Sequence, residues 1–90
     1  MYQLIWTDFF RKKARKFLKK HPDLIPVFKE IIGVIEINPF QEILKTHSLE
    51  GKLKGISSIR FNFSYRIIVK IQQNSKEVIF LNIGSHDEVY

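Results

Sequence analysis

Three side chains in the last third of the chain could act together on a phosphate ester. Arg60, Arg66 and His86 lie among alternating apolar residues, so each is expected to project from a β-strand. Arginine binds phosphate oxygens through paired N–H groups, and histidine can accept or donate a proton near neutral pH. The plainer interpretation of a single histidine so close to the chain end is a solvent-exposed tail residue.

Three stretches of period-two alternation predict the strands that position these side chains. They are residues 56–61, 65–72 and 78–86, and the odd-numbered residues of each are mainly apolar. The odd-numbered face of all three strands is therefore predicted to pack against the core. His86 is expected at the end of the last strand, on the same face as the two arginines.

The connections between these strands follow from the same parity. Opposed residues on antiparallel strands share a face, so each loop must contain an odd number of residues. Residues 62–64 fit the first loop and residues 73–75 fit the second. The first loop places Arg60 directly opposite Arg66, where like charges cost up to about 1 kcal/mol in the absence of a bound anion. Replacing Arg66 with alanine is therefore expected to be neutral or slightly stabilising.

Helical periodicity precedes these strands. After a short strand at residues 2–6, one helix is predicted over residues 9–20, and a second follows the break at residues 21–23 and ends near Ile37. The expected architecture is α+β, with a four-stranded, mainly antiparallel sheet and both helices packed on its odd-numbered face. The chain is thus predicted to form a single domain over residues 1–90.

The first predicted helix is strongly basic. It carries seven of the fifteen lysine and arginine residues and no acidic residue, and Lys12, Arg15 and Lys19 lie on its polar side. A solvated helix face is the plainer interpretation. A surface with this charge also suits the phosphate backbone of a nucleic acid, and these three side chains are candidates to bind it.

Composition restricts the class of protein. With 90 residues, 44% of them apolar, the chain can bury one modest core, and a net charge of +6 indicates an anionic partner. The chain contains no cysteine and no histidine spacing typical of a metal site, so neither a metal nor another cofactor is expected. No segment has the length and composition of a signal peptide or a membrane span, so a cytoplasmic protein without membrane contact is expected.

Three short motifs lie in a defined order along the chain. They are residues 47–55, HSLEGKLKG, residues 65–69, YRIIV, and residues 84–90, GSHDEVY. Together with the order of helices and strands, they resemble the RelE/ParE superfamily of bacterial toxins from toxin-antitoxin systems over essentially the whole chain. The loop histidine and the terminal H-x-x-x-aromatic pattern look most like the YafQ branch, which, like the RelE and YoeB branches, cuts messenger RNA on the ribosome.

The resemblance implies a role for four side chains. Arg66 would stabilise phosphate charge, His86 would act as acid or base, His47 would support proton transfer, and Tyr90 would position a base. RNA carries its own nucleophile, so cleavage needs a group that takes the proton of the 2′-hydroxyl, cations at the phosphate and a proton donor to the leaving 5′-oxygen. The general base stays open between His47 and Glu50, which is near the position of a proposed base in YoeB-like toxins.

Other positions depart from the YafQ pattern. Arg60 stands where YafQ-like toxins carry a second histidine, Ser64 where they carry an aspartate, and Tyr65 where they carry a tryptophan. Arg60 and Tyr65 are still expected to contact RNA. The same is expected of Lys52 and Lys54, which resemble the lysine pair of the RelE branch.

The resemblance also implies partners. A cognate antitoxin would neutralise the toxin by wrapping it, and the ribosome with its messenger RNA would be the target. The free toxin is expected to be a monomer, and its complex with the antitoxin a hetero-oligomer. A ParE-like inhibitor of DNA gyrase, which needs no histidine, is one alternative on the same fold, and a ribosome- or RNA-binding module without catalysis is another.

Overall fold

The structure of the chain, a computed structural model, describes residues 1–90 and contains one sheet and three helices. The helices are α1 (Asp8–Lys20), α2 (Ile25–Ile37) and α3 (His86–Val89), and the strands are β1 (Gln3–Trp6), β2 (His47–Ser48), β3 (Ser57–Arg60), β4 (Tyr65–Gln72) and β5 (Glu77–Ser85). Short 3₁₀ turns at Pro22–Leu24, Glu42–Leu44 and Gly51–Leu53 occupy the connections. None of the helices has the length and apolar character needed to cross a bilayer.

The sheet has five strands in the order β1-β5-β4-β3-β2, whereas the alternation pattern predicted four. The additional strand, β2, pairs only His47 and Ser48 with β3, and two residues are too few to show a period in the sequence. β1 lies at the opposite edge and runs parallel to β5, while all other neighbours are antiparallel. The α+β class is therefore confirmed, and the prediction of four strands is wrong.

α1 and α2 share one buried core with one side of the sheet, which we call the inner face. Thr7 caps α1, because its side-chain oxygen accepts a hydrogen bond from the N–H of Phe10. Phe10 from α1, Ile35 from α2 and Phe80 from β5 are all completely buried between the layers. The opposite side of the sheet, the outer face, is covered by neither of these helices.

The first predicted hairpin has the expected register. Residues 62–64 form its turn, and Arg60 is paired with Arg66 across β3 and β4. Asn62 fixes the turn, because its side-chain oxygen accepts hydrogen bonds from two later backbone N–H groups, both at 2.9 Å. The prediction that the two arginines lie directly opposite each other is confirmed.

The second hairpin differs from the prediction by one residue. Its loop, residues 73–76, has four residues rather than three, and Lys76 closes it in a left-handed conformation with a φ of 53°. An even-numbered loop pairs odd positions with even ones, so Ile71 is paired with Val78. The first part of β5 therefore presents the opposite set of side chains to the core.

A β-bulge at Leu81 restores the predicted faces in the last part of β5. The pairing with β4 steps across Leu81 and leaves it without a partner. Before the bulge the even-numbered Val78 and Phe80 are fully buried, and beyond it the odd-numbered Ile83 is. The prediction of an odd-numbered core is therefore wrong for the first half of β5, where Ile79 and Leu81 are only half-buried.

α3 begins where the last strand was predicted to end. His86, expected as the final strand residue, is instead the first residue of this helix, and Ser85 caps it. The cap directs the chain out of the sheet, because the Ser85 side chain accepts a hydrogen bond from the N–H of Glu88. The correction matters for the site, since helical residues four apart lie on one side, and this brings Tyr90 next to His86.

Candidate active site

Cross-strand pairing gathers most of the residues of interest on the outer face. One row of directly opposed residues runs across β2, β3, β4 and β5, in the order His47, Ser58, Ile68 and Asn82. The adjacent row consists of Arg60, Arg66 and Gly84. Neighbouring strands lie about 4.8 Å apart and each residue advances a strand by about 3.4 Å, so the Cα atoms of His47 and the two arginines are within roughly 12 Å of one another.

The C-terminal turn closes over this face and adds two more of the predicted residues. The ring of Tyr90 packs edge-on against the ring of His86, with 4.1 Å between the ring centroids. The hydroxyl of Tyr90 donates a hydrogen bond to the hydroxyl of Ser58, which is paired with His47 across β2 and β3. His47 and His86 are therefore connected through Ser58 and Tyr90, although they are far apart in the sequence.

The backbone fixes where His47 carries its proton. Its Nδ1 lies 3.1 Å from the carbonyl oxygen of Lys45, and a carbonyl oxygen only accepts hydrogen bonds, so Nδ1 is protonated. Lys45 adopts a left-handed conformation with a φ of 48°, which allows this contact two residues away. In the neutral ring Nε2 keeps its lone pair, as a general base requires.

His86 is exposed on the first turn of α3. Its Nδ1 lies 3.6 Å from Oδ1 of Asp87, so this nitrogen faces a carboxylate. Both side chains are mostly exposed, and such a pair adds little to the stability of the fold. The ring of His86 is therefore open to solvent and to a ligand.

The two arginines meet on the outer face without a protein counter-ion, since neither takes part in an ion pair. Nη1 of Arg66 donates to the carbonyl oxygens of Asn62 and Tyr65, both at 2.9 Å, which holds the guanidinium against the first hairpin turn. Arg60 borders a groove at the sheet edge that also contains acidic side chains, and it is bonded to none of them. Two cationic side chains at paired positions, neither of them in an ion pair, give this part of the sheet a positive charge that phosphate can neutralise.

Several predicted RNA-binding residues lie outside this grouping. Tyr65 is on the inner side, where its ring packs against Phe17 at 4.8 Å and its hydroxyl lies 3.4 Å from Nε2 of His21. Lys52 and Lys54 are exposed on and just after the 3₁₀ turn that follows β2. The lysines can therefore flank the outer face, whereas Tyr65 belongs to the packing between the sheet and α1.

The remaining candidates are exposed and further away. Lys12, Arg15 and Lys19 lie on α1, on the helix-covered side of the sheet, and their side chains face solvent. Glu50 is also exposed, directly before the 3₁₀ turn, and no hydrogen bond holds its carboxylate in place. Of the two candidate bases, His47 is thus the one with a fixed orientation.

The sequence reasoning missed Ser58. Its even number placed it on the same face as Arg60, two residues further along β3, so its position could have been predicted. Its burial could not, because Ser58 is covered by the C-terminal turn that follows Ser85, and that turn was not expected.

Comparison with known proteins identifies the fold. No family model and no curated protein sequence matches the chain. Among solved structures, a copper-bound mutant toxin from Helicobacter pylori has a TM-score of 0.81 and 25% identity, with 100% of both chains covered. YafQ from E. coli strain BL21(DE3) has a TM-score of 0.81 and 18% identity, covering 100% of this chain and 99% of its own, and YafQ in the DinJ-YafQ complex has a TM-score of 0.79. A YoeB/ParE toxin from Agrobacterium tumefaciens has a TM-score of 0.77 and 17% identity over 93% of this chain and 98% of its own.

The similarities to the Helicobacter pylori toxin and to YafQ cover 100% of this chain, from β1 to α3 and including the C-terminal turn that carries His86. The order of elements, the mixed sheet and the full-length coverage are shared with the toxins. In its fold, the chain is therefore similar to these toxins, YafQ among them.

Proposed function

We propose that the chain is the toxin of a toxin-antitoxin system and acts as a ribosome-dependent endoribonuclease on messenger RNA. The observation that carries the proposal is the grouping on the outer face. His47 with a free Nε2, His86 on the C-terminal turn, and the unpaired Arg60 and Arg66 supply a base, an acid and a phosphate clamp. The similarity to YafQ and to a YoeB/ParE toxin supports the toxin role.

The proposed reaction uses the ribose 2′-hydroxyl of the RNA as nucleophile. Nε2 of His47 takes the proton of this hydroxyl as its oxygen forms a bond to phosphorus. The bond from phosphorus to the 5′-oxygen breaks, and His86 gives that oxygen a proton. The products are a 2′,3′-cyclic phosphate and a free 5′-hydroxyl, so the balance is complete without a cofactor.

The arginines would act on the charge that develops during this step. Negative charge accumulates on the non-bridging phosphate oxygens as the fifth bond to phosphorus forms, and positioned cations lower its energy. Arg66 is already fixed by two carbonyl oxygens, so its Nε and Nη2 are left to bind phosphate without further ordering. Arg60, directly opposite, would provide the second contact.

The aromatic ring of Tyr90 would place the RNA. Its hydroxyl donates a hydrogen bond to Ser58, and its ring packs edge-on against the ring of His86. These two contacts hold the ring beside the candidate acid. A base that stacks on this ring would bring its own phosphate to the outer face, and stacking of this kind contributes about 1–3 kcal/mol per base. Lys52 and Lys54 would hold the adjoining phosphates of the strand.

The proposed partners are a cognate antitoxin, the ribosome and messenger RNA. YafQ has been solved in complex with DinJ, and this supports an antitoxin partner for a chain with the same fold. The net charge of +6 would attract both an acidic segment of the antitoxin and the negatively charged surface of ribosomal RNA. We propose that the free toxin is a monomer and that it forms a hetero-oligomer with the antitoxin.

The decisive experiment is cleavage of messenger RNA on programmed ribosomes. The purified toxin is expected to cut the messenger RNA bound to the ribosome and to leave a cyclic phosphate end. The rate of cutting should be the same after EDTA treatment of the buffer, with only the magnesium that the ribosome needs supplied. Free messenger RNA without ribosomes should be cut far more slowly. Intact message after long incubation with a folded toxin that binds ribosomes would refute the nuclease.

Two differences from the YafQ pattern favour a second candidate function, that of a ribosome-binding module that does not cut RNA. Arg60 and Ser64 stand where YafQ-like toxins have a histidine and an aspartate, and neither residue here can transfer a proton near neutral pH. The same assay separates the two, because such a module would bind programmed ribosomes and stop translation while the message stays intact. A ParE-like gyrase inhibitor would instead block DNA supercoiling and leave translation unaffected.

A further inference from the structure

The candidate acid and the aromatic ring beside it are carried by a very short helix. α3 has four residues, and a single helical turn is not stable without tertiary contacts. Its position must therefore be set by contacts with the sheet and with α1. Because successive helical residues are rotated by about 100°, Glu88 projects from the side of α3 away from His86 and Tyr90.

Glu88 and Ser85 hold each other in a capping box. Oε1 of Glu88 accepts a hydrogen bond from the backbone N–H of Ser85 at 3.0 Å. In return Oγ of Ser85 accepts one from the N–H of Glu88 at 3.3 Å. The two bonds satisfy N–H groups that a helix start leaves free, and they fix the angle at which α3 leaves β5.

Gly84, directly before the box, leaves room for the Glu88 side chain. A Cβ atom at this buried position would lie 3.3 Å from both Cβ and Oε1 of Glu88, closer than ordinary van der Waals contact. A larger residue would push Glu88 away from Ser85. Gly84 is also paired with Arg66, so the box is adjacent to the cationic centre of the site.

Glu88 also faces the basic side of α1. It borders an open cleft of about 620 Å³ that Lys13, Lys16 and Lys20 line from the helix. The pKa of Glu88 is lowered, first by its hydrogen bonds with Ser85 and in addition by the charges of Lys13 and Lys20. The side chain is therefore a carboxylate near neutral pH, and α1 attracts it.

We propose that Glu88 is a positioning residue of the active site. It bonds to Ser85 and faces the basic side of α1, and by fixing the start of α3 it presents His86 and Tyr90 on the outer face. The inference rests on the proposed function, because Glu88 acts only through these two side chains.

Two substitutions at Glu88 separate its hydrogen bond from its charge. Glu88→Ala removes both and is expected to lower kcat on programmed ribosomes by roughly 10-fold to 100-fold, the effect of misplacing a reacting group by about 1 Å. KM should rise as well, because the displaced turn also carries Tyr90, the ring on which the RNA base would stack. Glu88→Gln keeps Oε1 as an acceptor for the N–H of Ser85 and should recover most of the rate. Glu36→Gln, which removes an exposed carboxylate from α2, is the matched control and should equal the parent.

A second measurement reports the position of the turn without any catalysis. The rings of His86 and Tyr90 are close enough for nuclear Overhauser contacts in NMR spectra. These contacts should persist in Glu88→Gln, disappear in Glu88→Ala and weaken in Gly84→Ala, where the added methyl group displaces Glu88.

The outcomes can be told apart from a failure of the proposed function. Loss of rate and of ring contacts in Glu88→Ala, with recovery in Glu88→Gln, supports the positioning role. If Glu88→Ala retains both rate and ring contacts, or if Glu88→Gln is as slow as Glu88→Ala with the contacts intact, the role is wrong. If the parent itself does not cut messenger RNA, the nuclease is refuted, and the ring contacts alone decide whether Glu88 positions the turn.

Discussion

The hydroxyl of Tyr90 donates a hydrogen bond to the hydroxyl of Ser58, and the two groups lie in very different surroundings. Ser58 is completely buried in β3, whereas Tyr90 is 41% exposed at the end of the chain. A buried hydroxyl that loses its partner stays unsatisfied, while an exposed one can bind water instead. The bond should therefore respond differently to the loss of either partner.

Tyr90→Phe is expected to destabilise the chain more than Ser58→Ala. The first change leaves the Ser58 hydroxyl buried without a partner, which costs about 1–3 kcal/mol, and the second removes a bond of about 1 kcal/mol or less. Urea unfolding followed by the fluorescence of Trp6 gives both values. Equal costs, or a larger cost for Ser58→Ala, would contradict this account of how the C-terminus is held.

Replacing either candidate catalytic histidine should reduce cleavage and leave the fold intact. His47→Gln and His86→Gln each remove a proton-transfer group, so the single-turnover rate on programmed ribosomes should fall by roughly 10² to 10⁴. Both side chains are exposed, so the Tm should change little. His21→Gln is the control, because His21 lies on the inner side beside Tyr65 and should leave the rate unchanged. Full toxicity of both site variants in growing cells would exclude the nuclease.

For Arg66→Ala, the structure predicts a change in stability opposite to the one that the sequence predicts. The sequence predicted a neutral or slightly stabilising change, because Arg60 lies opposite, but Arg66 also donates two hydrogen bonds to backbone carbonyl oxygens. Two such bonds contribute about 1–3 kcal/mol, and the repulsion is worth at most about 1 kcal/mol, so Arg66→Ala should be destabilising. Arg60→Ala removes the same repulsion without these bonds and should be neutral or stabilising. Urea unfolding in the absence of RNA compares the pair, and equal stabilities would contradict the observed geometry.

Glu88 is expected to titrate below the ordinary glutamate pKa of about 4.3. Its hydrogen bonds with Ser85 favour the ionised form, and the nearby lysines add to the effect. Because the pKa is lower in the folded state, the resulting stability is complete above about pH 4.3 and is lost as the pH falls through the folded-state pKa. A ¹³C NMR titration with Glu36 as the exposed reference tests this. Ser85→Ala keeps the backbone N–H, so it should raise the titration midpoint of Glu88 only part of the way towards that of Glu36. Equal midpoints for Glu88 and Glu36 in the parent protein would show that the capping box does not form.

The basic surface of α1 is expected to bind ribosomal RNA. Changing Lys12 and Arg15 to glutamate should weaken ribosome binding strongly and reduce its dependence on salt, because fewer counterions are released from the RNA. Changing Lys29 and Lys76 to glutamate alters the net charge equally and is the control. Co-sedimentation with ribosomes at several salt concentrations measures both. If the two double variants bind alike, only the overall charge matters and α1 is not the contact.

Much of the fold follows from local patterns, and the departures in the register of β5 arise from two residues. The alternation around Arg60 and Arg66 is regular, and it predicts the first hairpin with its opposed arginines. Lys76 lengthens the second loop by one residue and Leu81 forms a bulge, and the two changes cancel for everything beyond them. The alternation of apolar residues in the sequence cannot reveal two shifts that compensate each other. Ile79 and Leu81 are as apolar as Val78 and Phe80, which are buried in the core instead.

The site was predictable in its residue types but not in its geometry. His47 was expected in a loop, and its pairing with Ser58 depends on a two-residue strand that has no sequence signature. The capping box was visible as the Ser-x-x-Glu pattern of Ser85 and Glu88, yet the alternation of β5 indicated a continuing strand through His86. A local hydrogen bond ended that strand, and this turn brought Tyr90 onto the face that carries the histidines.

The parallel pairing of β1 with β5 has a consequence for when this protein can act during its own synthesis. The first strand made, around Trp6, finds its only neighbour in the sheet around Phe80, near the end of the chain. Until that neighbour has been translated, Phe10 and Trp6 lack the ring at the centre of their cluster, and the sheet has an unfilled gap between its first strand and the rest. Contacts between such distant segments also form slowly. Under the proposed function, a nascent or prematurely terminated chain without β5 would have neither a complete core nor His86, and we expect it to leave the ribosome that makes it unharmed.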